Sequence, residues 1–143
     1  MNSHEDSAYR LTLAQTYLVR AESDAAASKW DQCLANAQAA VENAGKSILG
    51  HFRAVPWTHD LAPLMADLAK SQAVSPAIRK WIARDLDAFD EMGAKTHIRA
   101  AYGDEATRTP PWKLITESEA KAGLEQARRA VALAESILAE IEK

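Results

Sequence analysis

Residues 30–64 read WDQCLANAQAAVENAGKSILGHFRAVPWTHDLAPL. Leu34, Ala37, Val41, Ala44 and Ile48 recur at alternating steps of three and four, which draws one apolar stripe down a helix. The alanines let neighbouring helices approach closely, and Leu34, Val41 and Ile48 fill the layers between them. Gly50 and then Pro56 end this helix near Phe52. The tetrapeptide Thr58-His59-Asp60-Leu61 then restarts a helix, with Thr58 or Asp60 as its cap and Pro63 tolerated in its first turn.

The same rhythm extends outward. Leu11, Ala14, Leu18, Ala21, Ala25 and Ser28 predict a first helix over residues 7–28, and Lys29-Trp30 a tight reversal with Ser28 or Asp31 as the next N-cap. The restart predicts a short helix over 60–71. Ser75-Pro76 opens a fourth, with Ile78, Ile82, Leu86 and Phe89 inward and Gly93 as its break. Residues 95–102 form a further helical turn, and GDEATRTPPWK (103–113) is an exposed loop in which Pro110-Pro111 imposes extended backbone. Thr116-Glu117-Ser118-Glu119 is a capping box, in which the Thr116 hydroxyl takes an amide and Glu119 reaches back. Leu124, Ala127, Val131, Ala134, Leu138 and Ile141 carry the last helix to the C-terminus. The fold class is therefore all-α: an antiparallel up-and-down helical bundle of about five helices, with three long, one medium and one short. One domain spans 1–143, with 1–6 as a flexible tail.

Bulk properties agree with this. The chain has 143 residues, enough to bury a core, and its five Gly and five Pro leave little room for a turn-rich β architecture. A net charge of −3 gives no overall pull toward nucleic acid, so any such contact must be local. The single Cys33 rules out an intrachain disulfide framework and is read as a buried filler. No apolar run approaches the ~20 residues of a membrane span, and MNSHEDSAYR has no signal-peptide core, so a cytoplasmic location is expected.

Several groups could carry chemistry. Ala44-Gly45-Lys46-Ser47 ends like a phosphate-binding loop, but position 40 is Ala40 and no strand precedes it. His51, His59, Asp60 and His97 show no metal-ligand spacing, and neither a metal nor a cofactor is expected. Around the exit of the second helix stand Lys46, His51, Arg53 and His59. Either Arg53 and His59 pair as phosphate clamp and general base, or His59 and Asp60 organise the next helix while Arg53 is solvated. Lys95, His97, Arg99 and Tyr102 put two cations, an imidazole and a phenol within about two turns. Such a set can hold a nucleotide or RNA phosphate and stack a base on Tyr102; the alternative is an interhelix salt-bridge network with Tyr102 at the core edge. Trp57 and Trp112, each beside proline, are expected to pack on the bundle, with a dimer contact as the alternative. Arg79/Lys80 and Arg128/Arg129 are read as solvated faces.

The order of elements resembles the HEPN family (higher eukaryotes and prokaryotes nucleotide-binding domain). In that family an alanine-rich second helix of pattern AxxAxExxxKxxL leads into an HDL start. Here Ala37 to Leu49 supplies the helix, including Glu42 and Lys46, and Thr58-His59-Asp60-Leu61 the start. Ala101-Tyr102-Gly103-Asp104-Glu105 resembles the family's RYPDE-like segment, and EAKAGLEQARRAVALAESIL (119–138) its final helix.

That resemblance implies a small bundle that binds nucleotide or RNA phosphate as a homodimer, with Arg99, His97, Tyr102 and Lys95 lining the site. It also implies two alternatives. Many members are metal-independent ribonucleases, some of them toxins, with an Arg-x4–6-His motif. Others are toxins paired with a small nucleotidyltransferase antitoxin, or are non-catalytic helical interaction partners. No His follows Arg99 at the motif's spacing, and the literal match is Arg53 with His59. Whether the chain is an enzyme is thus left open, with His97, Arg53 and His59 as the catalytic candidates.

Overall fold

A computed structural model describes residues 3–55, 57–90 and 94–143. The elements run α1 (Ser3–Ala26), α2 (Trp30–Gly50), α3 (Ala62–Leu68), α4 (Pro76–Arg84), a 3-10 turn at Leu86–Phe89, α5 (Ala94–Tyr102), α6 (Pro111–Leu114) and α7 (Glu117–Ile141). The architecture is an all-α bundle built on α1, α2 and α7, as the three-four stripes require.

Polar contacts fix the directions of these three helices. Ser7 meets Ser47, Arg10 meets Asn43 and Asp24 meets Asn36, so α1 and α2 run antiparallel. Gln15 meets Glu135 and Glu22 meets Arg128, so α7 is also antiparallel to α1. The Cys33 thiol near the start of α2 lies 3.9 Å from the Ala120 carbonyl near the start of α7. Helix α7 therefore runs parallel to α2, and α3 to α6 carry the chain back between them.

Alanine sets the spacing. Ala14 and Ala21 of α1, Ala37, Ala40 and Ala44 of α2, and Ala120, Ala127, Ala130 and Ala134 of α7 are all fully buried. Larger residues, among them Ile48, Leu49, Leu133 and Ile137, close the layers. Cys33 is buried, and burial, with a smaller push from Asp24 against a pull from Arg128, raises its thiol pKa to about 11. It is a packed thiol, not a thiolate.

Helix ends differ from the sequence expectation in detail. Ser75 does cap α4, its hydroxyl accepting from the Ile78 amide, and Thr116 caps α7 by accepting from the Glu119 amide at 3.1 Å. Neither Ser28 nor Asp31 caps α2: the N-cap position is Lys29, and Ser28 takes a left-handed φ of 57° to make the reversal. Likewise Leu61, not Thr58 or Asp60, occupies the N-cap of α3, and Thr58 instead accepts from the Asp60 amide in a local turn. Helix α1 begins at Ser3 and so takes in residues 3–6 of the expected tail. Of the two prolines, Pro110 is extended, whereas Pro111 opens α6. Pro56 and Gly93, the expected breakers, lie outside the described residues.

Gly45 locates the restart. A Cβ there would come within 2.5 Å of Leu61 Cδ1 and 3.2 Å of Phe89 Cε1. The Ala-Gly-Lys-Ser run is thus a packing notch in mid-helix, filled by Leu61 and Phe89.

Candidate functional site

Seating Leu61 against Gly45 brings the residues just before it over the neighbouring turn of α2. His59 Nδ1 consequently lies 2.9 Å from both carboxylate oxygens of Glu42. Lys46, one turn further along α2, donates to Glu42 Oε1 at 2.9 Å, and Gln38, one turn before, donates to Oε2 at 3.0 Å. Glu42 and Lys46 are nearly buried, at 12% and 10% side-chain exposure, whereas His59 is half exposed.

The network sets protonation states. Burial pushes the Glu42 carboxyl up, but the hydrogen bonds from His59, Lys46 and Gln38 and the Lys46 charge outweigh it, and its pKa lies below the ordinary value. A carboxylate only accepts hydrogen bonds, so the His59 proton sits on Nδ1 and Nε2 is left as the outward nitrogen.

Helix α5 supplies the second imidazole. It packs on α2 and α6 with Thr96 and Ala100 inward. His97 lies on its outer side and stacks on His59, ring centroids 5.2 Å apart and planes within 7°. The two histidines, which fall in separate groups in the sequence, therefore form one exposed face, backed by Glu42.

The other expected site residues fall elsewhere. Arg99, two positions on from His97, points across the helix and forms an ion pair with Glu119 at the start of α7. That is the interhelix salt bridge held as the alternative reading, and it takes Glu119 away from the back-bond of the capping box. Tyr102 is not a core-edge anchor: it is 63% exposed. It borders an open hollow of about 470 Å³ with Asp104, Glu105, Arg108, Thr109 and Pro110. That loop is rigid, since Asp104 and Thr109 exchange both backbone hydrogen bonds and Asp104 Oδ1 accepts from the amides of Ala106 and Thr107. Lys95 lies in the first turn of α5, and its side chain is outside the described residues. Arg53 is exposed at the α2 exit. His51 is half-buried, its pKa lowered by burial and by His4 against a pull from Glu142.

Two further expectations are corrected. Trp57 and Trp112 do not pack on the bundle but are fully and 70% exposed. Arg128 and Arg129 are not merely solvated: Arg128 reaches Glu22 of α1, and Arg129 holds Asp85 and Asp87. Glu42 joins the site without having been expected there, although its spacing from Lys46 on an otherwise apolar stripe marks a buried pair. Among the described residues no group of three or more His, Cys, Asp or Glu is placed to hold a metal ion, and no helix is long and apolar enough to cross a membrane.

Comparison with known proteins bears on the family and the fold. The profile of the HEPN domain matches residues 8–143. The chain belongs to the HEPN family. The fold is also that of a solved structure, the crystal structure of TT1696 from Thermus thermophilus: 25% identity, 95% of this chain and 98% of that one covered, TM-score 0.68. No protein of curated function matches the sequence. Within this HEPN bundle the resemblance motifs are structural as well: the AxExxxK helix supplies Glu42 and Lys46, and the HDL start supplies His59 and Leu61.

Proposed function

We propose that this HEPN bundle binds the phosphate of a nucleotide or an RNA at the face where His59 and His97 lie stacked. The stack itself is the observation that carries the reading: two exposed imidazoles share one face, and a buried carboxylate orients one of them. Protonated imidazoles donate charge-assisted hydrogen bonds to phosphate oxygens. The exposed Trp57 and Trp112 supply large apolar surface for the homodimer expected of the family.

Titrating a 5′-mononucleotide and a short RNA into wild type, His59→Gln, His97→Gln and Arg99→Ala tests the reading. His59→Gln loses binding, His97→Gln weakens it and Arg99→Ala retains most of it. Binding unchanged by both histidine substitutions places the phosphate elsewhere.

A second reading, a metal-independent ribonuclease, is favoured by the Glu42–His59 pair. A carboxylate on Nδ1 leaves Nε2 as a general base able to take a 2′-hydroxyl proton. Incubation with RNA in EDTA would yield 2′,3′-cyclic phosphate ends that His59→Gln abolishes. Intact RNA rejects this reading and leaves the binding one.

A further inference from the structure

The stacked face has a charge balance that discriminates between kinds of phosphate, an inference that rests on the phosphate-binding reading above. Among the described residues, the charged and titratable groups in contact with His59 are Glu42 from α2, with Lys46 behind it, and His97 from α5. Glu42 and Lys46 form a nearly buried 2.9 Å ion pair and cancel each other. Among the described side chains in this contact, the charge shown to an anion is therefore that of the two imidazoles.

A neutral imidazole adds no charge to the face, and an imidazolium adds one. With Glu42 on Nδ1, the neutral His59 ring presents only a lone pair at Nε2, which repels an anion until it gains a proton. Loading both rings is opposed because two imidazolium ions 5.2 Å apart repel. A monoanion lying across the two edges compensates one positive charge. A dianion compensates both.

We propose that this face takes a terminal phosphomonoester as its dianion in preference to an internal phosphodiester, and that binding loads protons from solvent onto both His59 and His97. A phosphomonoester carries its second charge above a pKa of about 6, whereas a diester carries only one charge at any physiological pH. The parallel ring edges donate to two different oxygens of one phosphate, His59 remaining anchored through Nδ1 to Glu42.

Calorimetry at pH 7.5 in buffers of different ionisation enthalpy tests this. The probes are adenosine 5′-monophosphate, its methyl ester, inorganic phosphate, and one short RNA with either a 5′-phosphate or a 5′-hydroxyl. The monophosphate binds about tenfold tighter than its methyl ester and takes up more than one proton per molecule, against one or fewer for the ester. His97→Gln, an exposed substitution, removes the preference and drops the uptake to one or fewer, and it weakens monoester and diester binding to a common level. His59→Gln loses both.

Tight binding by the mononucleotide supports the proposal with a free nucleotide as the source, and binding confined to the 5′-phosphorylated RNA supports it with an RNA end. Inorganic phosphate matching the mononucleotide supports it with no role for the nucleoside. Equal affinity for monoester and diester, or binding without proton uptake, overturns the proposal and leaves the phosphate-binding reading standing. Absence of binding by every probe overturns both.

Discussion

Leu61 occupies the gap that Gly45 leaves in α2, its Cδ1 lying where a glycine-to-alanine change would place a methyl group 2.5 Å away. That contact holds the restart against α2 and so brings His59 onto Glu42, although 17 residues separate them in the chain. The candidate site depends on a glycine that makes no polar contact with it.

Gly45→Ala therefore sets two effects against each other. Alanine improves helix propensity by about 1 kcal/mol, whereas overpacking a closed core costs about 1–3 kcal/mol. The expected net loss is about 1 kcal/mol in urea denaturation, with weakened phosphate binding because His59 is displaced from Glu42. A more stable variant with unchanged affinity would show that Leu61 moves aside freely.

Breaking the buried pair costs more. Glu42→Gln leaves the nearly buried Lys46 ammonium without its carboxylate and is expected to lose roughly 2–4 kcal/mol. The same variant loses the carboxylate that orients the His59 ring through Nδ1, so phosphate affinity falls as well. Glu42→Gln together with Lys46→Met, which removes both charges, recovers much of the stability but not the affinity. Recovery of both would remove Glu42 from the site.

Stability falls on acidification in two stages. The folded pKa of His51 is lowered from 6.5, by burial first and then by His4. Its contribution is present above pH 6.5 and is lost as pH drops through the lower folded value. Glu42 is lowered from 4.5, so its contribution is present above that value and disappears below it, as the folded carboxylate protonates. Thermal melts from pH 8 to pH 3 follow this directly. His51→Asn flattens the upper stage and Glu42→Gln the lower; a melt profile flat from pH 7 to pH 3 contradicts both.

Arg99 tests how far a structural ion pair matters. It and Glu119 are each about one third exposed, so the pair is worth only about 0.5–1 kcal/mol. A double-mutant cycle with Arg99→Ala and Glu119→Ala should return a coupling of that size. A coupling near zero would mean that this pair adds nothing to the hold of α5 on the bundle.

Gly103 has a φ of 72°, and a Cβ there would run into the Thr109 carbonyl and the Pro110 backbone. Gly103→Ala is expected to cost about 1–3 kcal/mol and to open the Asp104–Thr109 loop. Hydrogen exchange at the Asp104 and Thr109 amides reads this, and unchanged protection would contradict it.

The bundle is legible in the sequence because a three-four stripe reports local geometry. Ser75 and Thr116 announce their helices for the same reason: the cap and the amide it accepts lie three residues apart. His59 and His97 can each be named as titratable groups, but their stacking depends on how α5 meets the chain beyond α2, and that is set by the Gly45 notch. Arg99 misleads for a related cause. Residues two apart on a helix face opposite ways, so its nearness in sequence to His97 places it on the side of Glu119. Trp57 and Trp112 are expected to pack on the bundle because of their large apolar rings, but ring size says nothing about which way the backbone turns them.

The alanines that line α1, α2 and α7 have a consequence for how this sequence can vary. A methyl group has no rotamers to freeze, so these contacts form without the side-chain entropy loss of a leucine core. They also leave no slack: with the helices this close, a Val at Ala40 or Ala127 must push two backbones apart. Tolerance to substitution is therefore one-sided: the outer faces accept change, whereas the seam is closed to growth.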